Sequence, residues 1–181
     1  HGSLKEGKGT ISTQSGTLKE TQYSFATRFA DGVGTNPEEL IAAAHAGCFS
    51  MALSAQLTEA GLVPDSIETT AVLTLDLHGD GPTITKIHLT TKAKVPGVDK
   101  AKFDELANKA KVGCPVSKVL KAAEIMLNFT KRFSLQTLTI GKKNIGKVFG
   151  HVMAVPRILN IMPVKFYLFS KRDSNFFLNS I

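Results

Sequence analysis

Tryptophan is absent from the 181 residues, tyrosine occurs twice and cysteine twice, as Cys48 and Cys114. Two cysteines so far apart make no Cys-x-x-Cys redox pair and no disulfide framework, which favours a reducing, cytoplasmic setting in which the thiols serve chemistry. The chain has no glycine-rich phosphate loop and no Gly-x-Ser-x-Gly elbow, so nucleotide binding and serine hydrolysis have no local signature. His45 precedes Cys48 by one helical turn, but no second pair has ligand spacing, because His78 and His88 fall on a turn and on a wet strand face. No metal or cofactor is therefore expected. The longest apolar stretch, Leu40–Leu53, is broken only by His45 and Ser50 and is too short to span a bilayer, which takes about 20 residues.

Acidic residues are scarce in one region only. From Lys131 onward the chain carries nine of its 22 Lys and Arg but one of its 15 acids, Asp173, so the net charge of +7 belongs to the tail, and the first 130 residues are close to neutral. The body offers no basic stripe, which excludes nucleic acid as the expected partner of the domain. The tail also holds seven of the thirteen aromatics without any sustained period. It reads as an appended, dispensable segment in which Val164–Phe169 has strand character. His1-Gly2-Ser3 reads as a tag remnant, leaving residues 4–130 as the functional domain.

What is present is organised around one helix. Asn36 is a capping residue, Pro37 suits the first helical position, and Glu38 and Glu39 put negative charge at the positive end of the dipole. The pattern predicts a helix from Pro37 to a stop at Gly61. Since Leu40–Leu53 has no polar face, this helix should be core and the rest of the domain should wrap it. Before it, Lys8–Thr13 and the following segment read as a hairpin. Tyr23, Phe25, Thr27 and Phe29 alternate as a strand that leaves Arg28 pointing away near the N-terminus of the central helix. After it, Ile67–Leu77 and Ile84–Val95 form an antiparallel hairpin, the second strand burying Ile87, Leu89, Thr91, Ala93 and Val95. Phe103, Leu106, Ala107 and Ala110 then mark an amphipathic helix ending at Gly113. Cys114-Pro115 restarts a helix through Leu120, and Ile125, Leu127 and Phe129 close a last strand. The order β-β-β-α-β-β-α-α-β is an α+β fold.

Spacing alone reads Cys48 as a small apolar core residue. Its company suggests more, because a cation beside a thiol lowers its pKa, and Arg28 with Glu38 forms a carboxylate-anchored guanidinium near the same helix. Taken together, Gly34-Thr35-Asn36-Pro37-Glu38-Glu39-Leu40, Ala43-Ala44-His45-Ala46-Gly47-Cys48-Phe49-Ser50-Met51-Ala52-Leu53 and Gly113-Cys114-Pro115-Val116-Ser117 resemble the OsmC/Ohr family of thiol-dependent peroxidases, with His45 favouring the OsmC branch. The resemblance covers about residues 7–129. It implies an intertwined homodimer in which antiparallel sheets wrap two central helices. It also implies Cys48 as peroxidatic cysteine, Cys114 as resolving cysteine, Arg28 as activating cation and Glu38 as its anchor. The expected activity is reduction of organic hydroperoxides, and of hydrogen peroxide less well, in oxidative or osmotic stress defence, with an external dithiol or lipoyl-type reductant. The alternative from another class is a non-catalytic stress protein that binds a small ligand or senses redox state.

Overall fold

A computed structural model describes residues 1–77, 79, 81–130 and, for the backbone, 131 and 164–169. The reversal expected at His78 and Asp80 and most of the tail expectation lie outside the described residues. The elements are β1 (Lys8–Ile11), β2 (Thr21–Ser24), α1 (Phe25–Phe29), α2 (Pro37–Glu59), β3 (Ser66–Asp76), β4 (Thr83–Lys94), α3 (Lys100–Gly113), α4 (Pro115–Val119), β5 (Glu124–Lys131) and β6 (Val164–Phe169). This is an α+β arrangement. β1 and β2 form a separate antiparallel hairpin, and the main sheet runs β5-β4-β3-β6 with α2 and α3 over one face.

The central helix begins where its sequence says it should. Asn36 is extended and its side chain accepts from the Glu39 amide at 2.8 Å, Pro37 takes the first turn, and Gly61, at φ 74°, supplies the left-handed residue past the C-terminus. At 23 residues α2 is longer than its apolar run and would suffice in length and composition for a membrane span. Its polar members Glu38, His45 and Ser50 are nevertheless buried and hydrogen-bonded inside the protein. Ser50 donates to Thr69 at 2.8 Å, and Thr69 is 3.0 Å from Thr91, so a hydroxyl chain satisfies three buried side chains between α2, β3 and β4. Around it Ala42, Ala46, Phe49, Leu53 and Leu57 of α2 pack with Ile67, Ala71 and Leu73 of β3, Ile87, Leu89 and Ala93 of β4, and Phe103, Leu106, Ala107 and Ala110 of α3.

Three features depart from the sequence reading. Phe25–Phe29 is helical, because Ser24 and Thr27 form a reciprocal capping box that satisfies both backbone amides, and this outweighs the period-two alternation. β5 runs parallel to β4, with Ile87 opposite Ile125, so the sheet is mixed instead of wholly antiparallel. The α3–α4 segment between these strands is the long crossover that parallel pairing requires. Six tail residues, Val164–Phe169, whose strand character is legible in the sequence, add an antiparallel edge strand to β3, from Ser66 opposite Phe169 to Ala71 opposite Val164. Finally, among the described residues α2 is not wrapped on all sides. One sheet face and α3 cover part of its circumference, and Ala44, Met51 and Ala55 remain exposed, Met51 at 61%.

Candidate active site

The fold brings Cys48, at the middle of α2, against Cys114, the N-cap residue of α4. The sulfurs lie 2.9 Å apart with Cys114 donating, and both cysteines are free thiols. Cys114 is fully buried and Cys48 half-buried. Gly113 ends α3, and Pro115, which has no amide hydrogen to lose, starts α4, so the chain turns sharply with Cys114 at the corner facing α2. Burial pushes the Cys48 thiol pKa up, the neighbouring Cys114 thiol adds to this, and the Val116 backbone N–H opposes both by favouring the thiolate.

One turn before Cys48 sits His45, entirely buried, with Nε2 2.8 Å from the Ser117 hydroxyl of α4. Burial lowers its pKa from 6.5 to about 4, so the ring is neutral near pH 7, and among the described residues Nδ1 has no hydrogen-bond partner. Sequence spacing linked His45 only to Cys48. Its partner is 72 positions away, so no local signal could have shown the pair.

Arg28 and Glu38 also meet as expected. Nε of Arg28 donates to Oε1 at 3.1 Å and to Oε2 at 3.0 Å, and Nη2 donates to Oε1 as well, while the guanidinium lies 5.1 Å from the Phe29 ring centre. Glu38 is 2% exposed, so the guanidinium neutralises an otherwise buried charge. Asn36 Nδ2 donates to the Thr27 carbonyl and Thr35 Oγ1 to Glu39, which ties α1 to the start of α2 and fixes the direction from which Arg28 approaches.

The two pairs are not brought together within one chain. Glu38 and Cys48 are ten residues apart on α2, about 15 Å along its axis at 1.5 Å per residue. Among the described residues no hydrogen bond joins Arg28 to either cysteine, and Arg28 is not a cause of the Cys48 shift, which runs upward where the sequence reading has Arg28 lowering it. The guanidinium is held at one end of α2 by Glu38 while the thiol lies at the middle. Among the described residues no group of three or more His, Cys, Asp or Glu could hold a metal ion.

The chain matches the OsmC family model, described as OsmC-like protein, over residues 30–128. Peroxiredoxin OsmC of Escherichia coli (strain K12) is 58% identical over 128 residues, which are 71% of this chain and 89% of that protein. An organic hydroperoxide resistance protein of Xanthomonas axonopodis pv. citri (strain 306) is 35% identical over 91 residues, 49% of this chain and 61% of that protein. Among solved structures, the organic hydroperoxide resistance protein OhrB of Bacillus subtilis superposes with a TM-score of 0.53 at 30% identity, covering 72% of this chain and 93% of that one.

Proposed function

The chain belongs to the OsmC-like protein family and is a peroxidase, and on that premise we propose that it reduces organic hydroperoxides through Cys48 and Cys114. The observation that carries the assignment is the 2.9 Å approach of two sulfurs from distant parts of the chain. Attack of the Cys48 thiolate on the distal peroxide oxygen breaks the O–O bond, releases the alcohol and leaves a sulfenic acid. The Cys114 sulfur then attacks the Cys48 sulfur, the S–O bond breaks, the hydroxyl leaves as water with the Cys114 proton, and a disulfide forms. An external dithiol or lipoyl-type reductant returns both thiols. No cofactor enters this cycle.

Arg28 enters as the group that stabilises the thiolate and the charge developing on the peroxide oxygens. Because its anchor holds it away from Cys48 of its own chain, the reading requires a second copy. The homodimer is supported by the exposed Ala44, Met51 and Ala55 flank of α2, an apolar surface on either side of the half-buried Cys48. In that dimer the Arg28–Glu38 pair of one protomer serves the Cys48 of the other, and the site is incomplete in a monomer. The domain spans residues 4–130 and works in the cytoplasm, and residues 131–181 are dispensable to its chemistry.

The test is peroxide consumed per protein with excess dithiol present. Turnover far above one peroxide per chain, lost in Cys48→Ser, is expected; consumption that stops near one equivalent would mark a sensor or binder and end the enzymatic reading.

A further inference from the structure

The contact between α2 and α4 has two rungs. Cys48 meets Cys114 at 2.9 Å and His45 meets Ser117 at 2.8 Å. In each helix the two residues are three apart, so both rungs lie on one face of α2 and one face of α4, with the segments antiparallel. Besides these rungs, α4 is held by the Val116 backbone N–H facing the Cys48 sulfur and by its C-cap residue Leu120, which packs against the core. It is five residues long, too short to be stable on its own, and Ser117 is its one buried residue. Pro115, Lys118 and Val119 are exposed, Val119 at 81%. The Cys114 side chain makes no capping hydrogen bond, so capping does not fix the sulfur. Among the described residues, apart from the thiol contacts, His45–Ser117 is the side-chain hydrogen bond by which α4 is attached to the body of the protein. The imidazole end is rigid, because His45 is fully enclosed on α2, and it is neutral near pH 7.

We propose that the His45–Ser117 hydrogen bond is a latch that seats α4 on α2 and so holds the Cys114 sulfur in reach of Cys48, making His45 and Ser117 positioning residues for the resolving step. The proposal rests on the peroxidase reading and deepens it. The first step takes from α4 only the contacts of the Cys48 sulfur with Cys114 and the Val116 N–H, which act on its pKa in opposite directions, so the latch bears on it far less than on the second step. The second step needs the Cys114 sulfur in line with the Cys48 S–O bond, and its rate scales with the fraction of time α4 is seated. With the latch removed, the Cys48 sulfenic acid persists, and a second peroxide converts it to the sulfinic acid, which a dithiol does not reduce.

Ser117→Ala removes the hydroxyl and little volume, and Ser117→Thr keeps a hydroxyl at the same place. His45→Gln offers an amide near the position of Nε2 and serves as a second probe from the other helix. Each variant and the native protein are mixed with an organic hydroperoxide in a single turnover. Peroxide loss reports the first step, the intact mass of the disulfide form reports the second, and the sulfinic fraction is measured at the end. The latch predicts disulfide formation slowed by about tenfold in Ser117→Ala, the scale of one lost hydrogen bond. It also predicts peroxide loss within about twofold of the native rate, a raised sulfinic fraction, and recovery of the disulfide rate in Ser117→Thr. Disulfide formation at the native rate in Ser117→Ala overturns the latch, and so does an equal slowing of both steps. If the native protein consumes peroxide but never joins Cys48 to Cys114, the resolving role of Cys114 fails, and the latch fails with it.

Discussion

Replacing Arg28 by lysine keeps the charge and removes the fork, which makes it a sharp probe of what the ion pair does. Arg28 reaches Glu38 through Nε, at 3.0 and 3.1 Å from the two carboxylate oxygens, and through Nη2. An ammonium has one nitrogen at the end of a flexible stem and cannot span both oxygens in this way. A hydrogen bond to a charged group contributes about 1.5–3 kcal/mol net. Glu38 is too buried to find water as a substitute, but Arg28 is one-third exposed, so part of the interaction is screened, and a loss of about 1–2 kcal/mol is the reasonable expectation. In a domain of this size that lowers Tm by about 2–8 °C. The chemical effect should be separate and larger. A lysine no longer aimed by Glu38 forfeits oriented stabilisation of the peroxide oxygens, and the rate of Cys48 oxidation should fall by about ten- to a hundredfold, since each factor of ten is about 1.4 kcal/mol of barrier. Stopped-flow oxidation of reduced protein across pH 6–9, beside thermal unfolding, gives both quantities. An unchanged oxidation rate in Arg28→Lys would refute the assigned role, and an unchanged Tm would show that the fork adds nothing to the fold.

Three further outcomes are expected. Cys114→Ser should still consume one equivalent of peroxide but stop as a sulfenic acid that becomes sulfinic with excess oxidant; a variant that cycles normally with dithiol would remove Cys114 from the mechanism. His45 has a folded pKa of about 4 against 6.5 when unfolded, so below pH 6.5 the unfolded chain takes up a proton that the fold resists, and stability declines as pH falls from 6.5 to 4. The full effect is at most about 3 kcal/mol, and urea unfolding at pH 7 and pH 5 should show His45→Gln losing less stability than the native chain; equal losses would assign the acid sensitivity elsewhere. Deleting residues 131–181 should leave disulfide formation intact, because Cys48, Cys114, Arg28 and Glu38 all precede the cut. It uncovers the edge of β3 that β6 occupies, and a Tm lowered by more than about 4–8 °C would show that the tail belongs to the fold.

Local chemistry made much of this architecture readable in advance. The cap at Asn36, the proline at the start of α2, the stop at Gly61 and the strict alternation from Ile87 of β4 to Val95 just past its end are each written within a few residues, and each is present. The failures are of two kinds. At Phe25–Phe29 two local signals compete, and the capping box of Ser24 and Thr27 wins over alternation across five residues. The parallel pairing of β5, the hydroxyl chain of Ser50, Thr69 and Thr91, and the His45–Ser117 contact join positions far apart in the chain, which no local pattern encodes. The thiol pair belongs with these, since only the resemblance to a known family joined Cys48 to Cys114 before the fold did. The same resemblance gave Arg28 its role at the thiol, and the ten-position separation of Glu38 and Cys48 along α2 shows why a single chain does not bring the two together.

The central claim, that Cys48 and Cys114 form the redox couple of a peroxidase, is tested most directly by one single-turnover experiment. Reduced protein receives one equivalent of organic hydroperoxide, and mass spectrometry of the intact chain and its peptides follows the product. The account predicts loss of two hydrogens and a peptide cross-link joining Cys48 to Cys114, with no peroxide consumed by Cys48→Ser. Peroxide reduction at the native rate by Cys48→Ser, or native chains that turn over without that cross-link, would contradict it.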